Sequence, residues 1–303
     1  MEVELVPGKY IIAVSGGVDS VVLLDLLVQK RRAYPATSKQ YTYTVAHFDH
    51  GIRSDSEEDR LFVQGLAARY KLPFVFDEAT LGPHTSEETA RNARYQFLER
   101  ARRSSGAQAI ITAHHQDDAL ETAIFNVLRG TGRKGLSALS STADIRRPLL
   151  KIPKGDIVTY AKFRGLTWHE DSTNSDQRYK RNYIRHSVLP RFTIESRQKL
   201  SELVERQRSL NEELDVQLIN HLHLQSSAKK LDRKYFNQLP HSVAKELLAV
   251  WLRAHGIRQF DATTIERLTV AAKTARPGKQ LAVLAGYSII VNKTDLALTV
   301  LER

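Results

Sequence analysis

The sequence contains no cysteine. That absence excludes disulfides, thiolate metal ligands, thiol nucleophiles, persulfide carriers and iron–sulfur clusters within the chain. Long apolar runs are also missing. Stretches such as Val21 to Val28 are interrupted by Asp25 and fall far short of the roughly 20 residues that cross a bilayer. The opening residues place Glu2, Glu4 and Pro7 ahead of any apolar run, which matches neither a secretory signal nor an Arg-rich transit peptide. A soluble cytoplasmic protein with no membrane partner is therefore expected. No repeat or low-complexity tract occurs, and the scattered histidines lack the spacing of a structural zinc site.

Negative charge is the scarcer sign: 34 Asp and Glu stand against 45 Lys and Arg, a formal net charge of +11. An excess of that size calls for an anionic partner or a solubility explanation. The first 150 residues hold 19 basic and 18 acidic side chains, the remainder 26 and 16, so the positive field belongs to the second half. Within it, Arg178 to Arg208 carries nine basic residues, Arg178, Lys180, Arg181, Arg185 and Arg191 among them, against three acidic ones. Such a stripe suits contact with a phosphate backbone, although a solvated helix face is the commoner meaning of a charge run taken alone.

What is present is a globular composition, 42% hydrophobic and 26% charged, in a chain of 303 residues that accommodates two domains. Strand patterns at Tyr10 to Val14, Tyr41 to Phe48, Pro73 to Phe76 and Ala109 to Ala113 alternate with helix patterns at Asp19 to Lys30, Glu57 to Tyr70, Ser86 to Arg103 and Asp118 to Leu128. This predicts an α/β fold with a doubly wound parallel sheet, whose ligands bind at the carboxyl ends of the strands. Beyond Pro148 the pattern changes to a helix at Lys154 to Phe163, a polar stretch from Gly165 to Asn182 and one long helix from Pro190 to roughly Leu224. A smaller α+β unit follows, with a strand at Leu231 to Phe236, helices at His241 to His255 and Ala262 to Lys273, a strand at Gln280 to Leu284 and a hairpin through Ser288 to Leu301. The expected division is a catalytic domain over 1–205, a helical linker over 206–227 and a small C-terminal domain over 228–303.

Between the first strand and first helix lies Ser15-Gly16-Gly17-Val18-Asp19-Ser20. Two glycines let the backbone curl so that several N–H groups converge with the positive end of the following helix, a ready site for phosphate oxygens. The loop lacks the Gly-Lys-Ser/Thr ending of a Walker loop, and its Asp19 makes sense beside phosphates if it holds Mg²⁺. A second constellation, His114-His115-Gln116-Asp117-Asp118-Ala119-Leu120-Glu121-Thr122, closes the fourth strand pattern. On a helix, His114, Asp118 and Glu121 would share one face, and the two carboxylates would attract an ammonium group. A capping box, with Asp118 as N-cap and Glu121 reaching back, accounts for the acids equally well. Three weaker signals are His47 to Arg53, the pair Arg91 and Arg94 on one helix face, and the glycine-rich basic segment Leu128 to Leu136, read as a mobile loop or an anion contact.

Together these residues resemble the N-type ATP pyrophosphatases, and within them the tRNA(Ile)-lysidine synthases. The resemblance runs through seven ordered blocks: the loop at 15–20, His47 to Arg53, Arg91 to Leu98, His114 to Thr122, Leu128 to Leu136, Arg147 to Leu150, and Trp168 to Arg185. It implies that ATP adenylates the wobble cytidine of an isoleucine tRNA with a CAU anticodon, and that free L-lysine then displaces AMP. On that basis Ser15, Gly16, Gly17, Val18, Asp19 and Ser20 would hold ATP, with Asp19 near Mg²⁺. His114, Asp118 and Glu121 would orient lysine, Arg94 would stabilise the transferring phosphoryl group, and Arg178, Lys180, Arg181, Arg185 and Arg191 would contact tRNA together with the C-terminal domain. The resemblance points to a short family form, leaves a homodimer open, and departs from the family at Ala119, where Gln is frequent. The competing expectations are an ammonia-dependent amide synthetase similar to NAD synthetase and a noncatalytic ATP- or RNA-binding protein. The absence of cysteine removes the related thiolases and the amide synthetases that generate their own ammonia.

Overall fold

Tyr10, Ile11 and Ile12 are almost fully buried at the centre of strand β1 (Gly8–Ala13), as expected of a strand covered on both faces. The computed structural model describes residues 1–33, 40–51, 56–79, 85, 87–130, 132–170, 180–221, 229–257, 260–283 and 286–300. Strand β1 pairs in parallel with β2 (Tyr41–Asp49) on one side and β4 (Ala109–Ile111) on the other. With β3 (Phe74–Glu78) and the two-residue β5 (Ile145–Arg146), the sheet order is β3-β2-β1-β4-β5, all parallel. Strand β5 is too short for any alternation to show in the sequence. It exists because Ile145 and Arg146 register against Ile110 and Ile111.

Helices α1 (Val18–Ala33), α2 (Ser56–Arg69), α3 (Glu87–Ser105), α4 (Gln116–Leu128) and α5 (Lys154–Phe163) accompany this sheet. The chain is thus an α/β protein with a doubly wound parallel sheet, and its strand order reverses between β1 and β4, where such folds open a crevice for ligands. Every residue of α1 from Ser20 to Val28 is buried. That burial encloses Asp25, which accepts hydrogen bonds from Tyr70 Oη (2.9 Å), Tyr160 Oη (2.8 Å), Arg164 Nε (3.1 Å) and Gln29 Nε2 (3.2 Å). Burial works to raise its pKa, but these donors outweigh it and hold the carboxyl below its ordinary value.

After α5 come a short helix α6 (Lys180–Tyr183), a π-helical turn (Ile184–Val188) and a 3₁₀ turn (Leu189–Arg191). The long helix α7 runs Ile194–His221, not from Pro190 as the sequence pattern suggested. Pro190 lies in the 3₁₀ turn, and Thr193 Oγ1 accepts the Ser196 N–H at 3.1 Å, capping a new helix start.

The chain divides into two units, Met1–Arg129 with Gly135–Val204, and Gly130–Lys134 with Glu205–Arg303. The second contains β6 (Lys230–Asp232), α8 (Arg233–Gln238), α9 (His241–Ala254), α10 (Ala262–Thr274), β7 (Lys279–Ala282), β8 (Tyr287–Val291) and β9 (Asp295–Val300). Its antiparallel sheet has the order β6-β9-β8-β7. Trp251, Phe236, Leu247, Leu268, Ile289 and Leu296 form its core. The strand expected through Phe236 ends at Asp232, because the Asp232 carboxylate accepts the Tyr235 N–H at 2.7 Å and starts helix α8. The segment Gly130–Lys134 groups with this unit: the Arg133 guanidinium lies 2.8 Å from both Asp215 and Glu246, and Lys134 pairs with Asp215. Arg133 and Lys134 are therefore paired with carboxylates of this unit, partners that the reading of the segment as a mobile loop or an anion contact did not name. Among the described residues, no helix is long and apolar enough to cross a membrane.

Candidate active site

The loop after β1 is held by its own serines. Ser20 Oγ donates to the Gly17 carbonyl at 2.8 Å and accepts the N–H groups of Ser15 and Gly16, each at 3.2 Å. Gly16 has φ +96°, a left-handed conformation open to glycine and strained for other residues. Its carbonyl accepts the His169 N–H at 3.1 Å. The His169 ring stacks on Phe62 of α2 with centroids 4.3 Å apart, and its Nδ1 lies 2.6 Å from Asp59 Oδ1. The loop therefore rests on a platform supplied by α2 and by residues 168–170. Val18 and Asp19 open α1, the end of a helix whose first N–H groups lack acceptors within the helix and favour an anion.

A cavity of about 360 Å³, within the size range of small-ligand sites, opens at the carboxyl ends of β1, β2 and β4. Ser15, Gly17, Asp19 and Ser20 line it, together with Ala46 to Asp49 at the carboxyl end of β2, His50 just after it, Asp59 of α2, Arg94 of α3, and Thr112, His114 and Asp118 around β4 and α4. His47 is buried, and its Nδ1 meets the Val14 carbonyl at 2.9 Å, which ties the end of β2 to that of β1. Burial pushes its pKa down, the Val14 bond opposing only in part.

Helix α4 begins at Gln116, two residues before the expected start, and His115 is its N-cap residue. Asp118 is therefore not the N-cap; it sits one turn in, and its Oδ2 accepts the His115 N–H at 2.9 Å. Glu121 takes no part in capping. It is buried and does not line the cavity. His114 precedes the helix instead of sharing its face, with Nδ1 at 2.9 Å from Thr112 Oγ1. Burial, and then the positive charges of Arg147, Arg94 and Arg91, push the His114 pKa well below the ordinary histidine value. The imidazole is consequently neutral at physiological pH.

Asp19 and the three acids of α4 each face a cation from elsewhere in the chain. Lys154 Nζ lies 2.5 Å from Asp19 Oδ1, Arg197 Nη1 3.1 Å from Asp117 Oδ2, and Arg185 bridges Asp118 (Nη2 to Oδ1, 2.9 Å) and Glu121 (Nε to Oε2, 2.9 Å). Even so, the Glu121 pKa is raised, since desolvation exceeds the attraction of Arg185. Lys154 and His115, whose Nε2 lies 3.7 Å from Asp19 and 3.5 Å from Asp118, were not singled out by the sequence pattern. Lys154 is 135 residues from Asp19 and carries no local signal; His115 was visible only as half of a His pair.

The basic stripe is partly consumed by such pairs. Arg185 and Arg197 serve α4, Lys199 pairs with Glu195 and Arg208 with Glu205. Arg181 lies over the Phe125 ring at 5.6 Å, while Arg191 and Arg206 are exposed. Arg178, Ile52, Arg53 and residues 171–174 lie outside the described residues, as does the side chain of Lys180. Among the described residues, no group of three His, Cys, Asp or Glu forms a metal cage.

A family model described as a PP-loop domain, ATP_bind_3, matches residues 3–192. The chain is 38% identical to a tRNA(Ile)-lysidine synthase of Thermotoga sp. (strain RQ2), over 59% of this chain and 44% of that one. It is 32% identical to the tRNA(Ile)-lysidine synthase of Actinobacillus pleuropneumoniae serotype 3 (strain JL03), over 82% of this chain and 59% of that one. Against the synthase of the same name from Idiomarina loihiensis it is 28% identical, over 94% of this chain and 66% of that one. The chain thus spans between 44% and 66% of the length of these curated relatives.

Proposed function

From the premise that this chain belongs to the PP-loop domain family, we propose that it is an ATP-dependent ligase joining free L-lysine to carbon 2 of the wobble cytidine in tRNA(Ile) with a CAU anticodon. In the first step the cytidine's carbon-2 oxygen attacks the α-phosphorus of ATP and pyrophosphate leaves. In the second the lysine ε-amine attacks carbon 2, the carbon–oxygen bond breaks and AMP departs. The supporting observation is that the loop at 15–20, Arg94, His114 and Asp118, drawn from three separate stretches of sequence, line one cavity.

In this reading, Ser15 to Ser20 hold the polyphosphate with backbone N–H groups and hydroxyls, exchanging the Ser20 contacts described above for phosphate oxygens. Arg94 opposes charge on the transferring phosphoryl group. Asp118 and Glu121 attract the ammonium of lysine, and the neutral His114 offers an acceptor beside them. The ammonium must lose a proton before it attacks. Mg²⁺ belongs to the proposal through Asp19: a single carboxylate completed by phosphate oxygens is a usual set for this ion, and Asp19 is 29% exposed at the loop's mouth. When bound, the ion neutralises polyphosphate charge. Lys154, now paired with Asp19, is placed to hold the departing pyrophosphate.

The cytidine must leave its stack to reach this cavity. Arg178, Lys180, Arg181 and Arg191, with the domain at 228–303 beyond a linker at 206–227, are assigned to tRNA contact, in a cytoplasmic enzyme. Purified chain, ATP, labelled lysine and an unmodified tRNA(Ile) transcript test the reading. The expected result is lysine incorporation with pyrophosphate release that needs both lysine and the CAU anticodon. Pyrophosphate release with ammonia and a nicotinate nucleotide, and none with tRNA, would overturn it in favour of an amide synthetase.

A further inference from the structure

The position assigned to the lysine ammonium is already filled by Arg185. Its Nε and Nη2 each make a 2.9 Å bond, to Glu121 and Asp118, so one planar fork spans both carboxylates. Glu121 is 6% exposed at its side chain and Asp118 18%. A second cation cannot share that space, and both carboxylates cannot be left unpaired at such depth without a large desolvation cost. Arg185 is also 38% exposed, so it has room to leave.

The backbone around it is suited to such an exchange. Arg185 lies in the π-helical turn Ile184–Val188, closed by the Leu189 N–H to Ile184 carbonyl bond. Such turns are rare and recur at functional sites. Ile184 and Leu189 on either side are buried against Leu120 of α4, which anchors the turn at both ends while the arginine head remains partly in solvent. The Asp19 field also acts on Arg185, which puts the guanidinium in electrostatic reach of the phosphate loop.

We propose that Arg185 is a resident placeholder cation in the amine site, which lysine must displace, and that ATP drives the exchange by offering Arg185 a new anion at the loop. The inference rests on the lysine-ligation reading and deepens it: Arg185 is a positioning residue that sets the order of binding, nucleotide before lysine, and not solely a tRNA contact. It also keeps Asp118 and Glu121 from capturing adventitious cations while the nucleotide is absent.

Equilibrium dialysis of labelled L-lysine tests this with the full chain and a non-hydrolysable ATP analogue. Wild type should bind lysine at least about tenfold more weakly without the analogue than with it, and Arg185→Gln should bind nucleotide-free lysine at least about tenfold more tightly than wild type, the scale of a close charge pair gained or lost. Circular dichroism verifies the fold of the variant. If Arg185→Gln does not fold, Arg185→Lys carries the test, because an ammonium cannot span two carboxylates as a rigid fork does; nucleotide-free lysine binding should then tighten by about threefold. Saturable lysine binding that is lost in Asp118→Asn but is no tighter in either Arg185 variant overturns the placeholder role and leaves the ligation reading standing. Absence of lysine binding in every form, with nucleotide and tRNA supplied, overturns both.

Discussion

Among the described residues, the first unit buries Asp25, His47, Asp49, His115, Glu121 and Arg147, with Ser20, Thr44, Thr112 and Ser137, along with its apolar core; the second buries the polar groups Arg233, Thr269, Ser288 and Asn211. The second unit satisfies most of its buried polar groups with carbonyls, hydroxyls and amides. Thr269 Oγ1 donates to the Ile265 carbonyl, Ser288 joins Thr299 and Gln280 across neighbouring strands, and Arg233 donates to carbonyls at Asn292 and Ala275. The first unit buries carboxylates and meets them with phenols and cations, as Asp25 is met by Tyr160 and Arg164, and Glu121 by Arg185. Burying a carboxylate is costly unless it is paired. The first unit therefore carries that cost, whereas among the described residues the second buries no carboxylate.

The largest effect that would sharpen this contrast is expected in the second unit. Trp251, fully buried among Leu247, Leu268 and Ile289, should cost about 3–5 kcal/mol when replaced by alanine. Hydrogen exchange should show protection lost across α9 and β8. If protection in β1 and β2 fell equally, the contrast between the units would be false.

Next in size is Asp118→Asn. Its lysine-dependent kcat/KM should fall by about 10²-fold or more, with ATP-analogue affinity changed far less and the melting curve little altered. An unchanged lysine dependence would return Asp118 to its capping bond with His115.

A smaller effect attaches to Asp25. Its pKa is lowered in the folded chain, so the folded state binds fewer protons and the contribution is present above the unfolded value. It is lost as pH falls from about 5 through the folded value. Asp25→Asn should cost about 2 kcal/mol near neutrality and flatten that acid limb in urea titrations at several pH values. A slope that survives the substitution would assign it to other carboxylates.

The smallest expected effect is at Lys199 and Glu195, an exposed pair with side chains 71% and 75% accessible. Lys199→Ala should change stability by less than about 0.5 kcal/mol. A larger loss would mean that the basic stripe stabilises the fold through more than its pairing.

Much of the architecture was readable because local pattern carries it. The strands at Tyr10, Tyr41 and Ala109 and the helix after the Ser-Gly-Gly loop follow from short apolar runs buried without a break, while the last C-terminal strand alternates with a period of two. Where reading failed, a single side chain redirected the backbone: Asp232 began a helix inside an apparent strand, and Thr193 restarted one after Pro190. The start of α4 moved to Gln116, which changed Asp118 from N-cap to a residue one turn inside the helix.

The candidate site divides in the same way. By itself, the sequence determined the Ser-Gly-Gly loop between β1 and α1, the acids and histidines after β4, the absence of thiols within these 303 residues, and the concentration of positive charge in the second half. Only the tertiary structure decided which charges meet: Lys154 with Asp19, Arg197 with Asp117, and Arg185 with both Asp118 and Glu121. Local backbone preferences act over a few residues and leave their period in the sequence. An ion pair between residues 64 or 135 positions apart depends on how whole elements pack, and no short-range pattern records it.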